Sequence, residues 1–556
     1  MADENQSRQS PTINSFTDDG EPTPATRIDQ VHLGRDRRQF AESIRQFSTR
    51  KKETYLFSGE HYQFLANFFD QPPLHDSFTR YPATEQSFSP VFLHPNRSGP
   101  DPDLSIPSGV TEDVGQTLLK CVPTAHYPLL VLMSGWQRND TLRIIAAQCG
   151  VDPELFRRHL CFLDPNRFFD LPTLPSKATD IWCLRFTTIC KRQDPLSLEA
   201  VIQQREAEFQ GLRAYLNDLR TNQRIGSSIV RRYAILDETT SVVQQDVSFG
   251  VHQKGNGGWI GTIWIDSGRS FEGSLVPWLD QRAENTDDPY VPLIHHLPKV
   301  AIATADPVKS GDPTRDTPKT IGGRYSPSLS ILPRQYGSSL DRVVARTDAF
   351  YAFGELMSLA ASSDCQFLNL LQQHMDVSSR SFRGQEDWSI SNLHYMVRLL
   401  EDIEDRARRV LSLIGNEQHS DWPRASCPEM IKVRDASKRL LTDDYQDILR
   451  RSADLAQRGR CGIDFITTDI STRASQRSFD QAKEVNRLTL LAFFFLPLSF
   501  VTSIFGMNIA TFQDLRWGIG SIFIALIVVL VPSFTLLFWG KWLEGDGYHV
   551  YKRDGK

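Results

Sequence analysis

The chain has 556 residues, 62 Lys and Arg against 67 Asp and Glu, a formal net charge of −5, and 40% apolar and 23% charged residues. At about 150 residues each it has room for roughly two to four domains and a large core. The near-neutral, polar average excludes a basic nucleic-acid binder and a transporter with most of its mass in lipid. That average conceals one segment: the 53 residues from 488 to 540 hold only two charges, Asp514 and Arg516.

Residues 1–33 read as a disordered acidic tail. Asp3, Glu4, Asp18, Asp19, Glu21 and Asp29 stand there against Arg8 and Arg27, with little to bury. The tail lacks an apolar core segment and is acidic, so it is expected to be neither a secretory signal nor a mitochondrial presequence.

Residues 34–340 read as an α/β domain. The stretch 34–75 is helical and charged, and Pro-rich loops follow to about 110. Tyr127–Met133 and Ile181–Thr188 are buried-strand runs, and Thr141–Cys149 is a short helix. Asp152-Pro153-Glu154 places a capping side chain before a first-turn proline, which predicts a helix through His159. Leu196–Leu219 carries apolar residues at helical spacing. Strand-like segments cover 229–236, 242–252 and 258–266, the last two joined by Lys254-Gly255-Asn256-Gly257. No helix follows those glycines, so they predict a hairpin turn and not a phosphate loop. A Pro/Gly-rich loop occupies 301–338.

The chain then becomes helical. Segments 342–376 and 387–415 lie within a helical region at 341–428, closed by the Pro-containing stretch Asp421–Pro428. A stalk helix over 429–487 meets no proline before Pro497. Continued into the apolar segment beyond Arg487, it exceeds 70 residues, over about 100 Å at 1.5 Å per residue. Such a helix needs neighbours along its length, which predicts a bundle or an oligomeric stalk. Its Asp469, Asp480 and Glu484 beside Arg473, Lys483 and Arg487 read as a solvated, salt-bridged face.

Eight scattered cysteines without a C-x-x-C, and thirteen histidines without a zinc-binding helix motif, predict free thiols and no zinc or disulfide frame. No catalytic Ser, His or Cys set assembles, so an enzyme is not expected.

Two uncharged windows, Leu488–Met507 and Gly518–Trp539, are each long enough to cross a bilayer. Lys483 and Arg487 precede the first, and Lys541, Lys552, Arg553 and Lys556 follow the second. The positive-inside rule then predicts a first transmembrane helix at 488–508, an outer loop at 509–517, a second transmembrane helix at 518–540 and a basic tail at 541–556, with both termini cytoplasmic. Trp517, Trp539 and Trp542 stand where interfacial anchors belong. Pro497, at the centre of the first span, frees the carbonyl of Phe493 and predicts a kink. One such helix makes no pore, whereas a ring of identical first spans can.

Leu488-Thr489-Leu490-Leu491, Phe495-Leu496-Pro497-Leu498-Ser499-Phe500 and Ile504-Phe505-Gly506-Met507-Asn508 together resemble the pore helix of CorA-type magnesium channels, whose hallmark is Gly-Met-Asn at the end of the first of two C-terminal spans. Asp514-Leu515-Arg516-Trp517 resembles that family's outer loop. The close resemblance covers 485–556. Leu171-Pro172-Thr173-Leu174-Pro175-Ser176 looks like the fungal branch.

The resemblance implies an α+β cytoplasmic domain, a long stalk helix and two transmembrane helices, assembled as a CorA-like funnel in a homopentamer. It implies passive, potential-driven uptake of divalent cations, Mg2+ first, with Zn2+ or another transition metal as the alternative. A membrane-anchored oligomeric scaffold that does not conduct is the reading from another class. No cofactor is expected; Mg2+ is cargo and, in the family, a regulator. The implied partners are four further copies, the bilayer and divalent cations, without nucleic acid. The implied location is the plasma membrane or the vacuolar membrane.

Carried over by position, Gly506, Met507 and Asn508 would form the selectivity mouth, and Ser499, Leu496, Ala492, Leu488 and Val485 would line the pore. The steps of three and four residues below Ser499 put these on one helix face. Mg2+ dehydrates reluctantly, so five Asn508 amides would accept hydrogen bonds from its water shell without stripping it. Leu496 and Leu488 either form apolar constrictions or pack against a neighbouring helix. Asp514 either draws cations to the entrance or is a plain turn residue.

Overall fold

In the computed structural model the described residues are 38–71, 88–92, 118, 128–163, 174, 180–192, 194–222, 225–253, 258–268, 290–296, 328–337, 339–380, 386–417, 421–506, 520, 523–532, 534–535 and 539. The expected acidic tail, the outer loop, the basic tail and Leu171-Pro172-Thr173 lie outside them.

The expected single helix over 34–75 is two helices, α1 (38–48) and α2 (Gln63–Asp70), separated by a turn-rich loop. Inside the supposed Pro-rich loop lies a strand, β1 (Phe88–Phe92). Its Pro90 is tolerated because β1 is an edge strand, paired only with β2 (Leu129–Ser134). Helices α3 (Asn139–Cys149) and α4 (Pro153–His159) follow. The Asp152 carboxylate accepts the Glu154 N–H at 2.9 Å with Pro153 in the first turn, as the sequence pattern predicts. After β3 (Ile181–Lys191), the expected helix over Leu196–Leu219 is again two, α5 (Leu198–Glu206) and α6 (Glu208–Asn222), broken at Ala207. Charge periodicity runs through that break, so it leaves no trace in the pattern.

Strands β4 (Arg232–Ile235), β5 (Thr240–Gln253) and β6 (Trp259–Ile265) complete a six-stranded mixed sheet of order β1-β2-β6-β5-β3, with β4 also on β5. Gln253 pairs with Trp259 in an antiparallel β5–β6 ladder, the hairpin expected from the Gly-rich turn, whose residues 254–257 lie outside those described. Strand β6 is buried at every position and runs parallel to β2, which is why both read as continuous apolar runs. The last part of the expected loop at 301–338 is helical, over Ser328–Ile331 and Leu332–Gln335.

Along one edge of β5, β4 pairs with Ser241–Gln244 and β6 with Val247–Gln253, leaving Gln245 and Asp246 unpaired between them. Asp266, just past β6, closes this gap: its Oδ2 accepts the Asp246 N–H at 2.6 Å and its backbone N–H donates to the Asp246 carbonyl at 2.9 Å. Arg231, just before β4, donates to both Asp266 oxygens at 2.5 and 2.7 Å. Arg185 of β3 donates to Asp246 at 2.7 and 3.0 Å. His159 Nε2 lies 3.1 Å from Asp266 Oδ1, Nδ1 lies 2.9 Å from Ser248 Oγ, and the ring stacks on Trp264. Burial pushes the His159 pKa down against the pull of Asp266.

After a short helix, α7 (Arg342–Thr347), the long helices α8 (Ala349–Arg380) and α9 (Glu386–Asn416) follow, close to the expected 342–376 and 387–415. Helix α8 lies on the sheet: Ser363 Oγ accepts from the Thr187 N–H at 2.7 Å and donates to its carbonyl at 3.0 Å. Helix α10 (Pro428–Gly506) is continuous over 79 residues. The chain divides into two compact units. The first comprises Met1–Ser381 and Ser391–Arg460, and so holds the sheet, α8, most of α9 and the start of α10. There Tyr445 of α10 donates to the Met357 carbonyl of α8 at 3.0 Å. The second comprises Phe382–Ile390 and Cys461–Lys556.

Gly459 explains one irregularity of the stalk sequence. A Cβ at this position would stand 2.6 Å from Val397 Cγ2 of α9 and 3.1 Å from Met375 Cε of α8. Only glycine lets α10 approach both helices so closely.

Candidate functional site

The uncharged end of α10 carries the candidate residues. Positions 485, 488, 492, 496 and 499 advance by three or four residues, so Val485, Leu488, Ala492, Leu496 and Ser499 form one stripe along α10. Val485, Leu488 and Leu496 are 60%, 65% and 71% exposed, among the most open apolar side chains of the helix.

The opposite side makes a contact with the second apolar segment. Phe494 sits about 200° around the helix from Ala492, and Val501 is seven residues beyond it on the same side. Phe494 meets the ring of Phe534 edge-on at 5.1 Å between centroids, and Val501 is only 3% exposed. The second apolar segment, helical over Phe523–Pro532, thus touches α10 at Phe494, on the side away from the stripe, and leaves Phe494 38% exposed.

Pro497 stands inside α10 without ending it. Thr502 Oγ1 donates to the carbonyls of Leu498 and Ser499, both at 3.0 Å, and Thr489 Oγ1 donates to that of Val485 at 2.8 Å. These hydroxyls are spent on their own helix. Gly506 closes the helix and is exposed, and a Cβ there would touch nothing within 4 Å. Met507, Asn508 and Asp514 lie outside the described residues.

Sequence reasoning stopped the stripe at Val485, but the same spacing continues through Gln481, Ser478, Ala474, Ser471 and Thr467 without a charge. Asp469, Arg473, Asp480, Lys483, Glu484 and Arg487 all fall elsewhere on the helix. Arg473 bridges Asp469 of its own helix and Glu386 of α9, the latter at 3.2 Å, and the first of these is one pair of the salt-bridged face expected for this stretch. The signal available beforehand was the absence of charge at three- and four-residue steps across the span boundary.

A second constellation has the hydrogen-bond order of a hydrolytic triad: Ser248, His159 and Asp266. These residues are at most 1% exposed, and Trp264 covers the imidazole. The trio seals the gap in the β5 edge and offers no surface to a substrate. Among the described residues no group of three or more His, Cys, Asp or Glu is placed to hold a metal ion.

Residues 427–540, which take in α10 and the second apolar segment, match the family model described as CorA-like Mg2+ transporter protein. This part of the chain is similar to the CorA-like family. The match begins at the residue before α10, so the stalk and the apolar stripe fall within one family unit. Among the described residues α10 alone is long and apolar enough to cross a membrane, and Phe523–Pro532 is a shorter apolar helix. Family and helix together point to an integral membrane protein.

Proposed function

We propose that the protein is a channel for divalent cations, Mg2+ first, formed by a homopentamer in which five copies of α10 surround a central path. The observation that carries this reading is the match of residues 427–540 to the CorA-like family together with the exposed Val485–Ser499 stripe on the uncharged end of α10. An apolar stripe of that length is unstable in water, so it must be covered by lipid or by other helices. Other copies of the same helix would close it.

In this arrangement Gly506, Met507 and Asn508 form the outer mouth and hold the ion in its water shell. Leu496 and Leu488 form apolar rings that gate by dewetting. Asp514 concentrates cations at the entrance. Both termini face the cytoplasm, the second segment crosses the bilayer as the outer helix, and the plasma membrane is the site of uptake. A potential of 100 mV, negative inside, drives a divalent ion inward with about 4.6 kcal/mol, so no nucleotide hydrolysis is required.

Purified protein in liposomes loaded with an ion-sensitive dye tests the reading. Mg2+ influx that follows the imposed potential and falls with Asn508→Ala supports it. Mg2+ influx unaffected by Asn508→Ala removes the proposed mouth. Proton-coupled Zn2+ flux in preference to Mg2+ makes the protein a transition-metal carrier. Oligomers that pass neither ion make it a membrane-anchored scaffold.

A further inference from the structure

Two features of the first unit are unexplained by ion conduction, and they complement each other. The first is the loop between α1 and α2. It is ordered: the Gly59 N–H donates to the Arg50 carbonyl at 2.9 Å, the Thr54 N–H donates to that of Lys51 at 3.1 Å, and the Arg50 guanidinium lies over the rings of Phe47 and Tyr55 at 5.2 and 5.6 Å. This frame holds Leu56 and Phe57 almost wholly in solvent, 92% and 79% exposed. Lys51 and Lys52 stand beside them, with no ion pair to a described residue, and with Arg50 and Glu53 they give the tip a net positive charge.

The second is a cleft of about 940 Å³ at the end of the sheet. Leu155, Val251 and Trp422 supply apolar wall, and Asp152, Asp180 and Asp421 supply three carboxylates against the single guanidinium of Arg424. The Trp422 indole N–H, in a side chain only 5% exposed, has no acceptor among the described residues. The cleft thus combines a limited apolar wall with net negative charge, and its volume exceeds that of a leucine and a phenylalanine side chain together.

We propose that the Lys51–Phe57 tip of one copy seats in the Asp152/Asp180/Asp421 cleft of a neighbouring copy. Leu56 and Phe57 enter the apolar part, and Lys51 and Lys52 meet the aspartates at its rim. The occupant is a second copy because a cyclic ring of identical chains needs two different, mutually complementary patches on each chain. A protruding basic, apolar tip and an acidic, apolar cleft satisfy that need in both shape and charge. In this chain the tip is bare, so it does not fill the cleft of its own copy. The proposal rests on the assembly of identical chains proposed for the channel, and it adds which surfaces of the soluble part meet.

The test uses the full chain in detergent. Leu56→Cys and Asp180→Cys are combined in one chain and treated with a short bis-maleimide, with each single variant as the control for the native cysteines. The expected result is a ladder of covalent multimers on a denaturing gel that neither single variant gives. Lys51→Glu with Lys52→Glu abolishes the ladder, and adding Asp152→Lys with Asp421→Lys to that chain restores it. An intrachain link without multimers, or a ladder indifferent to the charge reversals, overturns the docking. The native mass separates the two levels: an oligomer without the ladder refutes this contact alone, whereas a monomer refutes the assembly on which it depends.

Discussion

Replacing Asp266 by alanine tests whether the buried charge network, and not apolar packing alone, holds the β4–β5–β6 junction together. The substitution removes both acceptors of Arg231, the acceptor of the Asp246 N–H and the carboxylate 3.1 Å from His159. Arg231 keeps its charge in a side chain 6% exposed, and its nearest remaining carboxylate oxygen is on Asp246 at 3.7 Å. Stranding one member of a buried pair costs about 3–5 kcal/mol. At about 1.4 kcal/mol per factor of ten, that is roughly a 10²- to 4 × 10³-fold acceleration of local opening. Hydrogen exchange of the full-length protein, followed on peptides covering β5 and β6, reads it directly. Adding Arg231→Met should recover part of the loss, because no charge is then left unpaired. Exchange that changes less than about tenfold on Asp266→Ala, or that worsens on adding Arg231→Met, would refute the reasoning.

The pH dependence has a definite sign at His159. Burial lowers its folded-state pKa below the ordinary 6.5, so the unfolded chain takes up the proton first. Stability of the first unit should be constant through His159 above pH 6.5 and fall below it, by up to about 1.4 kcal/mol per pH unit until the folded-state value is reached; His159→Gln should flatten that slope in thermal unfolding measured against pH. Gly459→Ala should lower the unfolding midpoint, by an overpacking penalty of about 1–3 kcal/mol, since its Cβ would meet Val397 and Met375 across two helices. Gly150→Ala should be as costly for a different reason: φ is +70° and the new Cβ would stand 2.7 Å from the His252 ring. A midpoint unchanged in either variant would mean that the backbone there yields easily. In the proposed pore, Leu496→Ser should raise resting cation leak through liposomes, because a hydroxyl-lined ring would stay wet; unchanged leak would place the barrier elsewhere.

Much of this protein is written in local sequence. The capped start of α4 is legible because Asp152 and Pro153 act within one turn, and β2 and β6 because a strand buried on both faces has no polar position to spare. The stripe of α10 and the family match follow from spacing and motif in one continuous helix, where residue number alone fixes the face. The tertiary structure decided what depends on partners distant in the chain. Pro90 could belong to a strand only once β2 was beside it, and the breaks that turned two expected helices into four depend on the surfaces they cover. The Asp246 gap exists only because β4 and β6 share one edge of β5. The segment with two charges in 53 residues announced a membrane from composition alone, because lipid acts on every residue alike. That the second apolar segment meets α10 at all, through Phe494 and Phe534, was decided by a contact between positions forty residues apart that no local pattern encodes.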